Sequence, residues 1–165
     1  MRANQLLDLL DRLGTVAPVV WIGGGWGVDA LVGRQTRPHG DVDVLLDAPS
    51  LPGAVALLAG LGFLTTEDWL PVRIEVAHPD GRRVDLHPVT FAPDGSGTQP
   101  GPDDTVFSYP AGCTTTGYVS GRPVTCLTAE QQLVFRQGFD LRPVDHHDIA
   151  LLRELTAAAR PDAAG

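Results

Sequence analysis

Asp41-Val42-Asp43 and Asp85 are the residues of this 165-residue chain whose types and spacing could do chemistry together. Along an extended segment successive side chains alternate sides, so Asp41 and Asp43 share one face and Val42 takes the other. Asp85 sits in Arg83-Val84-Asp85-Leu86-His87, where Val84 and Leu86 point one way and leave Asp85 and His87 on the opposite face. Carboxylates held side by side repel, and each raises the other's pKa unless a cation lies between them. Burying such charges without compensation is costly. Three carboxylates would form the oxygen-donor set that Mg²⁺ prefers, with water and substrate phosphates completing the shell. In two-metal transfer to phosphorus, one ion holds a triphosphate and the other lowers the pKa of the attacking hydroxyl. Asp85 is then the natural acceptor of that hydroxyl's proton.

The triple glycine Gly23-Gly24-Gly25 fits the same chemistry. A glycine-rich turn at a helix N-terminus lets backbone N–H groups approach a phosphate, and the helix dipole favours the negative charge. Three glycines alone are weak evidence; followed by a helix and then Asp-x-Asp, they become specific. Arg37 either steadies the Asp-x-Asp strand by pairing with a carboxylate or reaches the triphosphate, and the phosphate reading is preferred. His39 reads as an orienter of its loop, and Trp26 as core. Trp69, in the exposed-looking EDWLP turn, and His87 are candidates for the wall of an acceptor pocket, with a structural hydrogen-bonded role standing level for His87. Arg73 lies in an apolar strand and needs a partner, either Glu75 on its own face or a phosphate. His146-His147-Asp148 has metal-ligand residue types, but at a helix start the aspartates read more simply as caps and dipole complements.

The elements that must position these residues follow from periodicity. Leucines at 6, 7, 10 and 13 form a helical stripe over 3–13. Strands are expected at 18–22, 42–46, 63–66, 72–77 and 83–89, with Pro79-Asp80-Gly81 as a hairpin turn. Helices are expected at 26–32, closed by Gly33, and at 51–61, capped by Ser50 and stopped by Gly62. The Gly/Pro/Ser-rich stretch 92–102 reads as a loop, and weak patterning allows short strands at 105–109 and 122–126. Thr128 with Gln131 resembles a capping box ahead of a helix to about 137; 138–143 is a linker and 145–159 a final helix. The fold class is α/β (α+β): a small mixed sheet with flanking helices and C-terminal helices. Three parts make one compact unit: a catalytic core over 1–92, a loop and strand insertion over 93–126 that shapes the acceptor side, and a helical element over 127–160.

Bulk properties narrow the partners. A formal net charge of -8 argues against nucleic acid, since polyanion binding needs a basic stripe, and suits a cationic small molecule. All 12 basic residues are arginine, so any phosphate contact from a basic side chain must come from arginine. No apolar run is long enough for a membrane span, and the N-terminus reads as an amphipathic helix, which makes a cytoplasmic location the expectation. Cys113 and Cys126 lack metal-ligand spacing and are expected as reduced thiols.

The order Gly-Gly, helix, Asp-x-Asp resembles the nucleotidyltransferase superfamily, which includes polymerase-β-like enzymes. The likeness extends to Gly24-Gly25-Trp26-Gly27-Val28-Asp29, Arg37-x-His39-x-Asp41-x-Asp43, Trp69-Leu70-Pro71 with Arg73, and Val84-Asp85-Leu86-His87-Pro88. It continues in Asp94-Gly95-Ser96, Gly138-Phe139-Asp140-Leu141 and Asp145-His146-x-Asp148-Ile149. Together these are similar to small lincosamide nucleotidyltransferases of the LinA type and, more loosely, to 2''-type aminoglycoside adenylyltransferases. The resemblance implies transfer of a nucleoside monophosphate, AMP from ATP in the first instance, to an antibiotic hydroxyl with Mg²⁺ and release of pyrophosphate. Asp41, Asp43 and Asp85 would be metal and catalytic residues, Gly24, Gly25 and Arg37 nucleotide-binding, and Trp69, His87 and Arg73 acceptor-binding. The implied partners are a nucleoside triphosphate and a lincosamide such as lincomycin or clindamycin, or another hydroxylated basic small molecule, and a homodimer is compatible with it. The alternatives are an aminoglycoside acceptor and a catalytically silent module of the same fold, against which the intact carboxylate set speaks. Two departures stand out: Gly23 where relatives carry an acid, and Val144 where they carry a lysine. The 96–118 stretch matches poorly.

Overall fold

In the computed structural model, which describes residues 1–137 and 140–159, one mixed sheet carries the chain. Its strands are β1 (Val20–Ile22), β2 (Asp43–Asp47), β3 (Leu64–Trp69), β4 (Arg73–Ala77), β5 (Arg83–Phe91), β6 (Gly97–Pro100), β7 (Val106–Tyr109), β8 (Thr114–Val119) and β9 (Arg122–Leu127). Their spatial order is β3-β4-β5-β2-β1-β9-β8, and the β6–β7 hairpin extends from the far end of β5. β2 runs parallel to β5 and β1 parallel to β9; the other pairs are antiparallel. The helices are α1 (Ala3–Leu13), α2 (Gly24–Val32), α3 (Leu51–Gly60), α4 (Ala129–Val134) and α5 (Pro143–Ala158). Gly138 and Phe139 of the expected linker, and Arg160 at the end of the expected helical element, lie outside the described residues.

Packing explains the central position of β2. Val44, Leu45 and Leu46 are all buried, as a strand covered on both faces requires. One face meets the leucine stripe of α1 (Leu6, Leu7, Leu9, Leu13) and α3, through a cluster that includes Ile22, Val44, Leu46, Val84 and Leu86. The other face carries a smaller cluster of Leu45, Val89, Tyr109, Cys113 and Leu127, edged by Phe107 and Phe135. A third, of Val28, Ala129 and Leu152, ties α4 and α5 to α2. Burying each such side chain contributes roughly 1.5–3 kcal/mol. Cys113 and Cys126 are buried in different clusters and unbridged. Among the described residues no helix is long and apolar enough to cross a membrane.

The structure departs from the sequence reading in several places. β3 runs on to Trp69, so that residue ends a strand and does not sit in a free turn. Ser50 does not cap α3; its hydroxyl donates to Asp47 Oδ2 at 2.6 Å, and Pro52 opens the helix. β6 forms inside the stretch expected to be a loop, because Gly97 and Thr98 pair with the C-terminal end of β5, itself longer than its apolar run. β8 went unrecognised: Ser120 and Gly121, at φ +48° and +78°, form a two-residue hairpin turn joining two threonine-containing strands of little apolar contrast. α4 stops at Val134, and α5 begins two residues early, with Pro143 in its first turn and Asp145 accepting from the Arg142 backbone N–H at 2.9 Å.

Candidate active site

The glycine turn and the Asp-x-Asp segment are built as one piece. β1 ends at Ile22, Gly23 donates its N–H to the Asp43 carbonyl at 3.0 Å, and α2 begins at Gly24. Gly24 has φ +53°, and a Cβ there would lie 1.8 Å from Asp43 Oδ2. Both backbone and space therefore demand glycine, and the missing side chain is what admits the Asp43 carboxylate to the N-terminus of α2. A Cβ on Gly25 would meet Arg37 Nη2 at 2.3 Å and His39 Nδ1 at 2.7 Å, so the 34–40 loop packs on the second glycine in the same way. His39 is buried, stacks on Trp26 with ring centres 4.5 Å apart, and shares a 2.5 Å contact with Asp29. It holds the loop to α2.

A row of acids crosses the sheet. Asp43 on β2 is in register with Asp85 on β5, Asp85 with Glu75 on β4, and Glu75 with Glu67 on β3. Asp41 precedes β2, is exposed, and lines the same cleft as Asp43, while Val42 between them is buried. Arg73 is the cation laid into this row. It donates Nη1 to Asp85 and Nη2 to Glu67 at 2.7 Å, and its guanidinium lies 4.4 Å from the centre of the Trp69 ring. The partners expected for Arg73 were Glu75 or a phosphate; Asp85 and Glu67 take its hydrogen bonds, and Glu75 instead accepts from the Thr66 hydroxyl at 2.6 Å.

The carboxyls of Asp43 and Asp85 are driven apart in acidity. Burial works against charge at Asp43, but the His87 contact and the charges of His87, Arg136 and Arg73 outweigh it and hold the group below the ordinary carboxylate range. Burial and the Asp43 charge push Asp85 up to about 6, against Arg73 and His87. His87 reaches Asp43 Oδ1 with Nε2 at 3.3 Å and faces the Gln99 amide with Nδ1 at 3.1 Å.

Opposite the acids stand arginines. Arg37 donates Nε and Nη2 to the two oxygens of Asp148 at 2.9 Å each, and Arg136 donates Nη2 to Asp148 Oδ2 at 3.1 Å. Asp148 is almost wholly buried, so it is not the cap its position suggested; Asp145 takes that role. Arg136 keeps a buried Nε with no partner among the described residues. These side chains line a cleft of about 530 Å³ whose floor is Gly23–Gly25, Asp43 and Asp85. Arg136 and Gln99 were missed from sequence. The absence of lysine was the available signal for Arg136, and nothing local marked Gln99, which stands in a stretch that reads as loop. Gly24, Gly25, Arg37, Asp41, Asp43, Asp85 and His87 all line the cleft; Trp69 is exposed beyond its rim, and Arg73 reaches it only through Asp85.

The donors suit a divalent cation of the Mg²⁺ type. Two carboxylates in register, one raised in pKa by burial and then by the other's charge, are a pair that such an ion would relieve. Among the described residues, no three His, Cys, Asp or Glu side chains already stand as a closed ligand cluster. Asp43 and Asp85 offer a pair and Asp41 lines the same cleft, which fits an ion that completes its shell with water and substrate oxygens.

Comparison with known proteins shows the family. Residues 5–152 match the family model Aminoglycoside-2''-adenylyltransferase. The chain is 33% identical over 153 residues to a lincosamide resistance protein of Staphylococcus haemolyticus, covering 93% of this chain and 95% of that one. Its fold is similar to that of the lincosamide antibiotic adenylyltransferase LnuA, solved with lincomycin bound, with a TM-score of 0.79 and 32% identity over 92% of this chain and 94% of that one. It is also similar to ANT(2'')-Ia in complex with adenylyl-2''-tobramycin, with a TM-score of 0.66 and 25% identity over 94% and 90% of the two chains. A mixed sheet with a glycine turn feeding a helix, carboxylates in register beneath it, and likeness along nearly its whole length place this chain in the Aminoglycoside-2''-adenylyltransferase family, as an enzyme of the nucleotidyltransferase class.

Proposed function

We propose that the protein transfers AMP from ATP to a hydroxyl of a lincosamide antibiotic, with Mg²⁺ held by Asp43, Asp85 and Asp41, and so confers resistance in the cytoplasm. The observation that carries this reading is the in-register pair Asp43 and Asp85, with Asp43 against the N-terminus of α2. When bound, the cation offsets phosphate charge and lowers the pKa of the attacking hydroxyl. The triphosphate lies between the Gly24-Gly25 turn and the arginines Arg37 and Arg136, whose shared anchor Asp148 keeps two cations side by side. Asp85, in register with Asp43 on the same cleft, accepts the proton of the acceptor hydroxyl. The hydroxyl oxygen then bonds the α-phosphorus, and the bond to pyrophosphate breaks.

The acceptor side favours an amphipathic monobasic molecule. Phe107, Phe135, Leu45 and Leu127 give the cleft an apolar wall, and Asp103 and Asp104 are exposed in the β6–β7 turn, outside it. A polycationic aminoglycoside would call for acids on that wall. Competing acceptors decide the matter: kcat/KM for lincomycin or clindamycin is expected to exceed that for any aminoglycoside by at least about 100-fold, some 3 kcal/mol of transition-state binding. The reverse ranking would move the acceptor assignment to the aminoglycosides.

A further inference from the structure

Gln99 comes from β6, in a stretch that reads as loop, yet its side chain is buried and wired to the reaction centre. Its Nε2 donates to the Val72 carbonyl at 2.7 Å and faces His87 Nδ1 at 3.1 Å, while its Oε1 accepts from the Tyr109 hydroxyl at 2.5 Å. The Val72 carbonyl has no proton to give, so the group facing it must be the NH₂ and not the amide oxygen. That settles the amide, and with it the imidazole. In the neutral imidazole the second hydrogen of Nε2 faces His87 Nδ1, which must accept, so the single ring proton sits on Nε2, toward Asp43 Oδ1 at 3.3 Å.

We propose that Gln99 is a positioning residue of the transfer reaction, fixing the Nε2–H tautomer of His87 so that the ring always presents a donor to Asp43. The donor direction then runs from Tyr109 through Gln99 and His87 to Asp43 without a break. With its Nε2 protonated and its Nδ1 engaged, His87 has no lone pair free to take a proton from the acceptor, which leaves that task to Asp85. The arrangement also links the β6–β7 hairpin, which contributes Phe107 and Tyr109 to the cleft wall, to the carboxylate at its floor. The functional part of this inference rests on the proposed role of Asp43; the tautomer does not.

The test separates the two. Histidine-labelled protein, metal-free and above the histidine titration range, is observed by long-range ¹H–¹⁵N NMR. Wild type is expected to show His87 only as the Nε2–H form, and Tyr109→Phe to keep it, because Val72 still orients the amide. Gln99→Glu replaces the donor by an acceptor and is expected to move the proton to Nδ1. Gln99→Leu is expected to lower kcat by roughly 10–100-fold, in the range for loss of an outer partner of a ligand, with KM for ATP within about twofold. An Nδ1–H form in wild type, or an unmoved proton in a folded Gln99→Glu, would overturn the inference. Should Gln99→Glu not fold, the wild-type tautomer alone decides. A correct tautomer with unchanged kcat in Gln99→Leu would refute the positioning role, whether or not the acceptor assignment holds.

Discussion

Asp43 and Asp85 are register partners on adjacent parallel strands, and the same site makes one the stronger acid and the other the weaker. This asymmetry separates a standing negative charge from a group that can take up a proton near neutrality. Since the Asp43 charge is one of the forces raising Asp85, Asp43→Asn should bring the Asp85 midpoint of metal-free protein down from about 6 toward its ordinary value, and Arg73→Met should raise it further. Carboxyl ¹³C NMR titration reads both. An Asp85 midpoint that ignores both changes would leave burial as the whole cause.

The same shift has a stability consequence. Asp85 binds its proton more tightly folded than unfolded, so its contribution to stability is complete below its ordinary value of 3.8 and is lost as pH rises through about 6. Asp85→Asn should therefore flatten the decline in melting temperature of the metal-free protein over that window. A decline as steep as in wild type would place its source elsewhere.

Gly24 and Gly33 make a matched pair of left-handed glycines, at φ +53° and +78°, that differ in what surrounds them. Nothing lies within 4 Å of a Cβ on Gly33, whereas one on Gly24 would strike the Asp43 carboxylate. Each alanine substitution should cost roughly 1–2 kcal/mol of backbone strain, and Gly24→Ala more, since Asp43 must also move. Only Gly24→Ala should also remove activity, by about 100-fold or more, near 3 kcal/mol in the barrier. Equal activity losses would show that the contact with Asp43 is not what the glycine serves.

Asp148 holds Arg37 and Arg136 from a nearly dry position. Asp148→Asn leaves two cations with a neutral partner and should cost roughly 3–5 kcal/mol in denaturant unfolding, as expected for removing one member of a buried ion pair. KM for ATP should rise, because both arginines lose their orientation. A stable variant with unaltered KM would reduce Asp148 to a bystander.

Much of this site could be read from one stretch and one strand. Gly24, Gly25, Asp41 and Asp43 are close in sequence, and alternation alone puts both aspartates on one face, as the buried Val42 between them reflects. Asp85 stood out as an acid between Val84 and Leu86. What could not be read depends on contacts between distant segments. Arg37 meets Asp148 across 111 positions, and Gln99 meets Val72 and His87 only because β6 folds back along β5. Composition misled where strands draw their stability from neighbours: Gly97–Pro100 and Thr114–Val119 have little apolar character, yet each is paired along its length. Trp69 is exposed as its place beside Pro71 suggests, but that it ends β3 and stacks on Arg73 depends on the pairing of β3 with β4.

Transfer of AMP to the antibiotic is read without intermediaries from the mass of the product. Purified protein is incubated with ATP, Mg²⁺ and lincomycin or clindamycin, and the antibiotic is weighed by mass spectrometry. The expected result is a gain of one AMP residue with one pyrophosphate released per adduct, and no gain with an Asp43→Asn variant shown by its melting curve to be folded. An antibiotic of unchanged mass after incubation with folded wild-type protein, or an adduct still formed by Asp43→Asn, would contradict it.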